Sequence, residues 1–246
     1  MPPTHPAPRV RVTVAGLTKA YGGMLALDQV SFSIREGEIL GLIGPNGAGK
    51  TTLFECLAGL LPADRGSVDF GAGGAAVRRS DVLFYVPDAI SPWPEQTVAW
   101  ALDFTIGFLG GRSDLRRDVE TRLGIEPLLG VRIGALSKGQ RKRALLAIGL
   151  LTPQPVLLVD EPFEGLDLRQ GRDVEATLRW YAGLGRTLFL SIHQIYDAGR
   201  FCDRFVLLSG GRVCAEGTSD ELLAQATSRV GGAAPADFEE VFLALT

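Results

Sequence analysis

Only three cysteines occur in the 246 residues, Cys56, Cys202 and Cys214. They are odd in number, far apart and without paired spacing, which argues against a disulfide framework, a zinc site or a dithiol redox centre. Long apolar runs are missing as well: stretches such as Ala144 to Leu151 fall far short of the roughly 18 residues that a membrane helix needs. Nor does charge of one sign dominate. Against 25 Lys and Arg stand 28 Asp and Glu, a net charge of −3 that gives no electrostatic reason to bind nucleic acid. Histidine is limited to His5 and His193, and Asn46 is the only asparagine.

What is present suits one compact α/β unit, since a chain of this length buries one sizeable core. The opening MPPTHPAPR is proline-rich and lacks an apolar segment, so residues 1–9 read as a disordered tail rather than a signal peptide or anchor. Val10, Val12 and Val14, then Val30, Phe32 and Ile34, alternate with polar or small residues as half-buried strands do. Apolar runs at Ile39 to Ile43, Val82 to Val86, Val156 to Val159, Leu188 to Ser191 and Phe205 to Leu208 read as further strands. Between the later ones lie stretches of helical length such as Arg169 to Leu184, the pattern of a largely parallel sheet covered by helices. Gly66 to Gly74 reads as a turn region. From Ala89 to Leu151 strand signals nearly vanish; Trp100, Phe104 and Phe108 fall at helical spacing and read as core. Phe238, Val241, Phe242 and Leu245 mark the apolar stripe of a C-terminal helix.

The strand at Ile39 to Ile43 runs into GPNGAGKTT. Gly44, Gly49, Lys50 and Thr51 satisfy G-x-x-x-x-G-K-[ST], in which small residues let backbone N–H groups wrap phosphate, lysine meets the β- and γ-phosphates, and the hydroxyl binds Mg²⁺. The cradle predicted is Gly44, Pro45, Asn46, Gly47, Ala48, Gly49, Lys50, Thr51 and Thr52. The strand Val156 to Val159 delivers Asp160 and Glu161 at its C-terminal end, where open α/β sheets hold ligands. Asp160 suits the Mg²⁺ shell, and Glu161 is placed to polarise an attacking water. Guanine-reading P-loop proteins use an Asn-Lys-x-Asp element, and the sole asparagine lies in the phosphate loop, which disfavours a GTPase.

Between these motifs stands Leu136-Ser137-Lys138-Gly139-Gln140. With it, the order of motifs resembles the ATP-binding subunits of ABC transporters over nearly the whole chain. The resemblance implies a P-loop NTPase (RecA-like) α/β fold: a parallel-sheet core at 10–88 and 152–224 with an N-terminal antiparallel β portion, a helical subdomain at 89–151, and a C-terminal helix at 236–246. It implies ATP with Mg²⁺, Tyr21 stacking on adenine, Gly165-Leu166-Asp167 as the loop along a dimer interface, and His193 contacting the γ-phosphate. Ser137, Gly139 and Gln140 would cover the ATP of a second subunit. Ser137 suits the N-cap of the helix that follows, whose positive end would face phosphate.

Two positions depart from the family pattern. Lys138 replaces a glycine, and its side chain reads as turned to water. Asp88 stands where many members carry a Gln that helps coordinate Mg²⁺; in that place it is an oxygen donor with an extra negative charge. These residues and the tail resemble exporters of drugs, lipids or polysaccharides. Implied partners are a transmembrane permease and a second ATP-binding subunit, with the chain peripheral at the cytoplasmic face of the inner membrane and no nucleic acid involved. A soluble relative acting on nucleic acid or ribosomes, and a weakly hydrolysing regulatory subunit, are the alternatives.

Overall fold

The alternation that begins at Val10 continues through a strand longer than its apolar signal. In the computed structural model, which describes residues 9–71, 77–88, 90–192, 201–230, 235 and 237–246, β1 (Val10–Tyr21) pairs antiparallel with β2 (Met24–Arg35). Residues 1–8 of the predicted tail, the end of the 66–74 stretch and His193 lie outside the described residues. Val12, Val14, Leu27, Phe32 and Ile34 point inward and are buried. From β2 the chain enters β3 (Ile39–Ile43), which ends at the phosphate-loop sequence and the helix α1 (Lys50–Ala58). It returns as β4 (Arg65–Asp69) beside β1, giving a three-stranded sheet of order β2-β1-β4. This strand replaces part of the turn read at Gly66 to Gly74. Its residues are mostly exposed, so it carries no apolar alternation from which to read it.

A short helix α2 (Arg79–Val82) leads into β5 (Leu83–Val86). The segment before the next strand is built of helices α3 (Val98–Leu109), α4 (Arg116–Leu123) and α5 (Lys138–Leu150). Then β6 (Val156–Val159), α6 (Leu168–Gly183), β7 (Thr187–Ile192), β8 (Arg204–Ser209) and β9 (Arg212–Gly217) complete a six-stranded sheet of order β5-β6-β7-β3-β8-β9. All its pairings are parallel except β8 with β9. Last come α7 (Ser219–Val230) and α8 (Phe238–Leu245), the latter burying Val241, Phe242 and Leu245.

The parallel strands are buried on both faces, which is why they read as continuous apolar runs. Along β3, Ile39 and Ile43 enter one core with Leu102, Leu146 and Leu178 of the helices, while Leu40 and Leu42 enter another with Leu53, Phe54 and the antiparallel sheet. Each such side chain contributes about 1.5–3 kcal/mol by leaving water.

The aromatic stripe of α3 is not core. Trp100 and Phe108 are 38% and 74% exposed, and the rings of Trp100, Phe104 and Phe108 stack on the surface at centroid spacings of 5.1 and 5.0 Å. The opposite stripe, Val98, Ala101, Leu102 and Thr105, faces inward. Both stripes have helical spacing, so periodicity alone could not choose between them. Among the described residues no helix is long and apolar enough to cross a membrane.

Candidate functional site

The loop after β3 is shaped by two glycines, Gly44 and Gly49, whose neighbours leave no room for a Cβ unless the backbone shifts. Gly49 has φ 103°, and a Cβ there would lie 2.4 Å from the carbonyl oxygen of Ala26. One on Gly44 would lie 2.3 Å from the carbonyl oxygen of Leu208. The loop is pinned from outside: the N–H of Gly211 donates to the Ala48 carbonyl at 3.2 Å, and the N–H of Asp28 donates to that of Gly211 at 2.8 Å. From Gly49 the chain enters α1; the first N–H groups of a helix lack intrahelical partners, and a helix N-terminus at the end of such a loop favours an anion. Lys50 is buried. Its ammonium donates to the carbonyls of Gly44 at 2.7 Å and Pro45 at 3.4 Å and stands 3.8 Å from the Glu161 carboxylate.

Asp160 sits at the end of β6, and hydroxyls surround its carboxylate. Thr51 donates to Oδ2 at 2.9 Å, Tyr85 to the same oxygen at 3.3 Å, and Ser191 to Oδ1 at 2.5 Å. Burial, reinforced by the neighbouring Asp160 charge, pushes the Tyr85 phenol well above its usual range, so it stays a donor. The next residue, Glu161, has φ 49°, a left-handed conformation rare outside glycine. Its N–H donates to the Ser191 hydroxyl at 2.9 Å.

Asp88 follows β5, and its carboxylate receives the ammonium of Lys142, a residue only 4% exposed in α5. That ammonium also donates to the carbonyl of Asp160 at 3.2 Å. Asp88 lines one cleft of about 1040 Å³ together with Tyr21, Asn46, Lys50, Asp160 and Glu161. The remaining loop residues of that wall are Pro45, Gly47, Gly49, Thr51 and Thr52. Tyr21 is 47% exposed at the tip of the β1–β2 hairpin, lines the cleft, and has the Lys19 ammonium over its ring at 5.9 Å from the centroid.

Ser137, Gly139 and Gln140 do not line this cleft. Ser137 caps α5 by accepting from the N–H of Gln140 at 3.3 Å, and the Gln140 side chain accepts from the N–H of Ser137 at 3.0 Å, a reciprocal capping box. Gly139 lets the helix approach the loop after Glu161: a Cβ there would lie 2.8 Å from the Gly165 carbonyl oxygen. The Lys138 side chain is not simply turned to water. Its ammonium meets Glu164 at 2.6 Å, because its methylenes run over Gly165, which offers no side chain to deflect them.

Sequence reasoning missed Tyr85, Ser191 and Lys142. Ser191 is the one hydroxyl in the run Leu188 to Ile192, and Lys142 falls on the helix face of Gly139, Leu146 and Gly149, at spacings of three and four residues. A lone polar side chain on an otherwise small or apolar buried face was the available signal in both cases.

The family profile described as "ABC transporter" matches residues 27–164, more than half of the chain. The chain is 34% identical to the doxorubicin resistance ATP-binding protein DrrA of Mycobacterium tuberculosis (strain ATCC 25618 / H37Rv), with 94% of this chain and 72% of that protein covered. It is 32% identical to the Nod factor export ATP-binding protein I of Rhizobium sp. (strain N33), with coverage of 87% and 73%. Among solved structures, the ATP-binding subunit of an ABC transporter superposes with a TM-score of 0.83 at 28% identity, covering 96% of this chain and 99% of that one. A bacterial Atm1-family ABC exporter with ATP bound shares the fold at a TM-score of 0.76 and 23% identity, over 92% of this chain and 42% of the other. The phosphate loop, the paired carboxylates and the capped helix between them thus lie on the fold of a known family: the chain belongs to the ABC transporter family, as an ATP-binding subunit.

Proposed function

We propose that this chain hydrolyses ATP as one half of a head-to-tail dimer and drives a separate transmembrane permease. The observation that carries the reading is the division of the phosphate-binding groups. Lys50, Thr51, Asp160 and Glu161 share one cleft, whereas the capped end of α5 with Ser137, Gly139 and Gln140 stands outside it. A second copy, turned about a two-fold axis, would bring its own Ser137, Gly139 and Gln140 over the ATP held by the first.

In this reading the backbone from Gly44 to Thr52 and the Lys50 ammonium hold the β- and γ-phosphates, and Tyr21 stacks on adenine. Lys50 leaves the carbonyls of Gly44 and Pro45 for phosphate, a change its flexible stem permits. Thr51 and Asp160 offer hard oxygen donors already 2.9 Å apart, which fit Mg²⁺, with the Asp88 carboxylate in the same cleft. When bound, Mg²⁺ draws charge from the phosphate oxygens. Glu161 accepts a proton from, or orients, the attacking water. His193 contacts the γ-phosphate by family analogy.

The relatives named for drug resistance and Nod factor export support an exporter; in this reading the chain works at the cytoplasmic face of the inner membrane beside its permease. The exposed Trp93, Trp100 and Phe108, on the segment that follows Asp88, suit a contact with that permease.

Steady-state ATPase of the purified chain against Glu161→Gln tests the chemistry. Turnover should fall about a hundredfold or more while ATP affinity is kept, and an ATP-bound dimer should accumulate on size-exclusion chromatography. A Glu161→Gln chain that turns over at the native rate would sink the reading. Co-purification with a polytopic membrane protein tests the transport half.

A further inference from the structure

We infer that Lys142 is a positioning residue for Glu161, holding the peptide bond between Asp160 and Glu161 from the side opposite Ser191. The inference rests on the reading of Glu161 as the group that activates water.

The peptide in question is clamped at both polar ends. Its carbonyl, that of Asp160, accepts from the Lys142 ammonium at 3.2 Å, and its N–H, that of Glu161, donates to the Ser191 hydroxyl at 2.9 Å. Ser191 is fixed in turn by donating to the Asp160 carboxylate, and the N–H of Asp160 donates to the Val86 carbonyl at 2.9 Å. With the peptide plane so fixed, the chain leaves it through the left-handed conformation of Glu161, and the Glu161 side chain enters the cleft 3.8 Å from Lys50. A left-handed non-glycine residue persists only where its surroundings over-determine it. Here the over-determination is two hydrogen bonds to one peptide.

Lys142 fills this role because it is buried and neutralised. An ammonium in a site this dry needs a counter-charge, and Asp88 supplies it. A neutral donor would hold the carbonyl more weakly, since hydrogen bonds from a charged donor are roughly twice as strong. The same ammonium therefore joins three segments: the turn after β5, the end of β6 and the second turn of α5. Displacing Asp88 would draw Lys142 from the Asp160 carbonyl and release the orientation of Glu161.

The test uses the full chain, with Lys142→Met to remove the donor at similar length and Lys142→Arg to restore a cation. Lys142→Met is expected to lower kcat about tenfold or more while KM for ATP changes by less than about threefold, and Lys142→Arg to recover part of the loss. In single-turnover hydrolysis, adding Lys142→Met to Glu161→Gln should bring little further loss, because both changes act through one carboxylate. If thermal melting shows Lys142→Met to be poorly folded, Lys142→Gln, whose neutral amide holds the carbonyl more weakly, is expected to lower kcat in the same direction with KM kept. An unchanged kcat in a folded variant overturns the inference. So do a KM that rises as much as kcat falls, multiplicative losses with Glu161→Gln, or failure of both variants to fold. Native turnover by Glu161→Gln would instead overturn the role of Glu161, and a native chain without turnover would overturn both.

Discussion

The Lys138 ammonium sits 2.6 Å from the Glu164 carboxylate, so the start of α5 is tied to the loop that follows Glu161. Both partners are about half exposed, and pairs of that kind are screened by water and weak. Lys138→Gly should therefore shift the thermal midpoint by about 2 °C or less. Gly165→Ala should do more, because Gly165 has φ 78° and a Cβ there would lie 2.9 Å from the Lys138 stem. A left-handed alanine alone costs about 1–2 kcal/mol. Melting curves of the two variants rank the effects.

A buried ion pair under the antiparallel sheet should behave differently. Arg204 donates to Glu38 at 3.0 Å and also meets Glu216, while the N–H of Arg35 donates to Glu38 at 2.6 Å. Burial raises the Glu38 carboxyl above its usual range even though Arg204 opposes the shift. A carboxyl raised in the folded state contributes stability that is full at acid pH, below its unfolded value, and lost as pH rises through the folded value. Arg204→Met strands that carboxylate and should cost about 3–5 kcal/mol near neutral pH. Denaturant titrations should find the deficit smaller at about pH 5 than at about pH 8, because the stranded Glu38 can then take up a proton. A deficit that grows towards acid pH would contradict the assignment.

Gly49→Ala should damage nucleotide binding without unfolding the chain. The added methyl would press on the Ala26 carbonyl oxygen, which is backbone and cannot rotate away, so the loop itself must shift. ATP affinity should drop at least tenfold, about 1.4 kcal/mol, in fluorescent-nucleotide titrations.

Thiol labelling separates the three cysteines. Cys56 and Cys202 are buried, and burial pushes both thiols above their usual range, whereas Cys214 is exposed. A maleimide should modify one thiol per chain in the native state and three after denaturation.

The parts of this molecule that could be read before folding are those whose chemistry is local. Gly44 to Thr52 announces a phosphate loop because consecutive small residues, a lysine and a hydroxyl act within one turn, and the apolar run Val156 to Val159 leaves no doubt about where Asp160 stands. Ser137 was legible as a helix cap because capping is decided within four residues. What escaped depends on residues distant in sequence. Asp88 read as an oxygen donor with one charge too many; its partner Lys142 lies 54 positions on, and only the packing of α5 against β5 and β6 brings them together. The surface stack of Trp100, Phe104 and Phe108 escaped for another reason: α3 carries an apolar stripe on each side, and the inner one is made of the smaller residues. Phe108→Ser should accordingly leave the melting midpoint nearly unchanged, while Leu102→Ala should cost about 2–5 kcal/mol.

Glu161 holds a backbone conformation, φ 49°, that glycine or asparagine adopts more easily. The fold is therefore carrying an internal load at this position that its sequence does not need for stability. Glu161→Gly should melt higher than the native chain while losing turnover, the signature of a position where selection for activity has outweighed selection for robustness. A screen for heat resistance alone would drift towards inactive cassettes through this one residue.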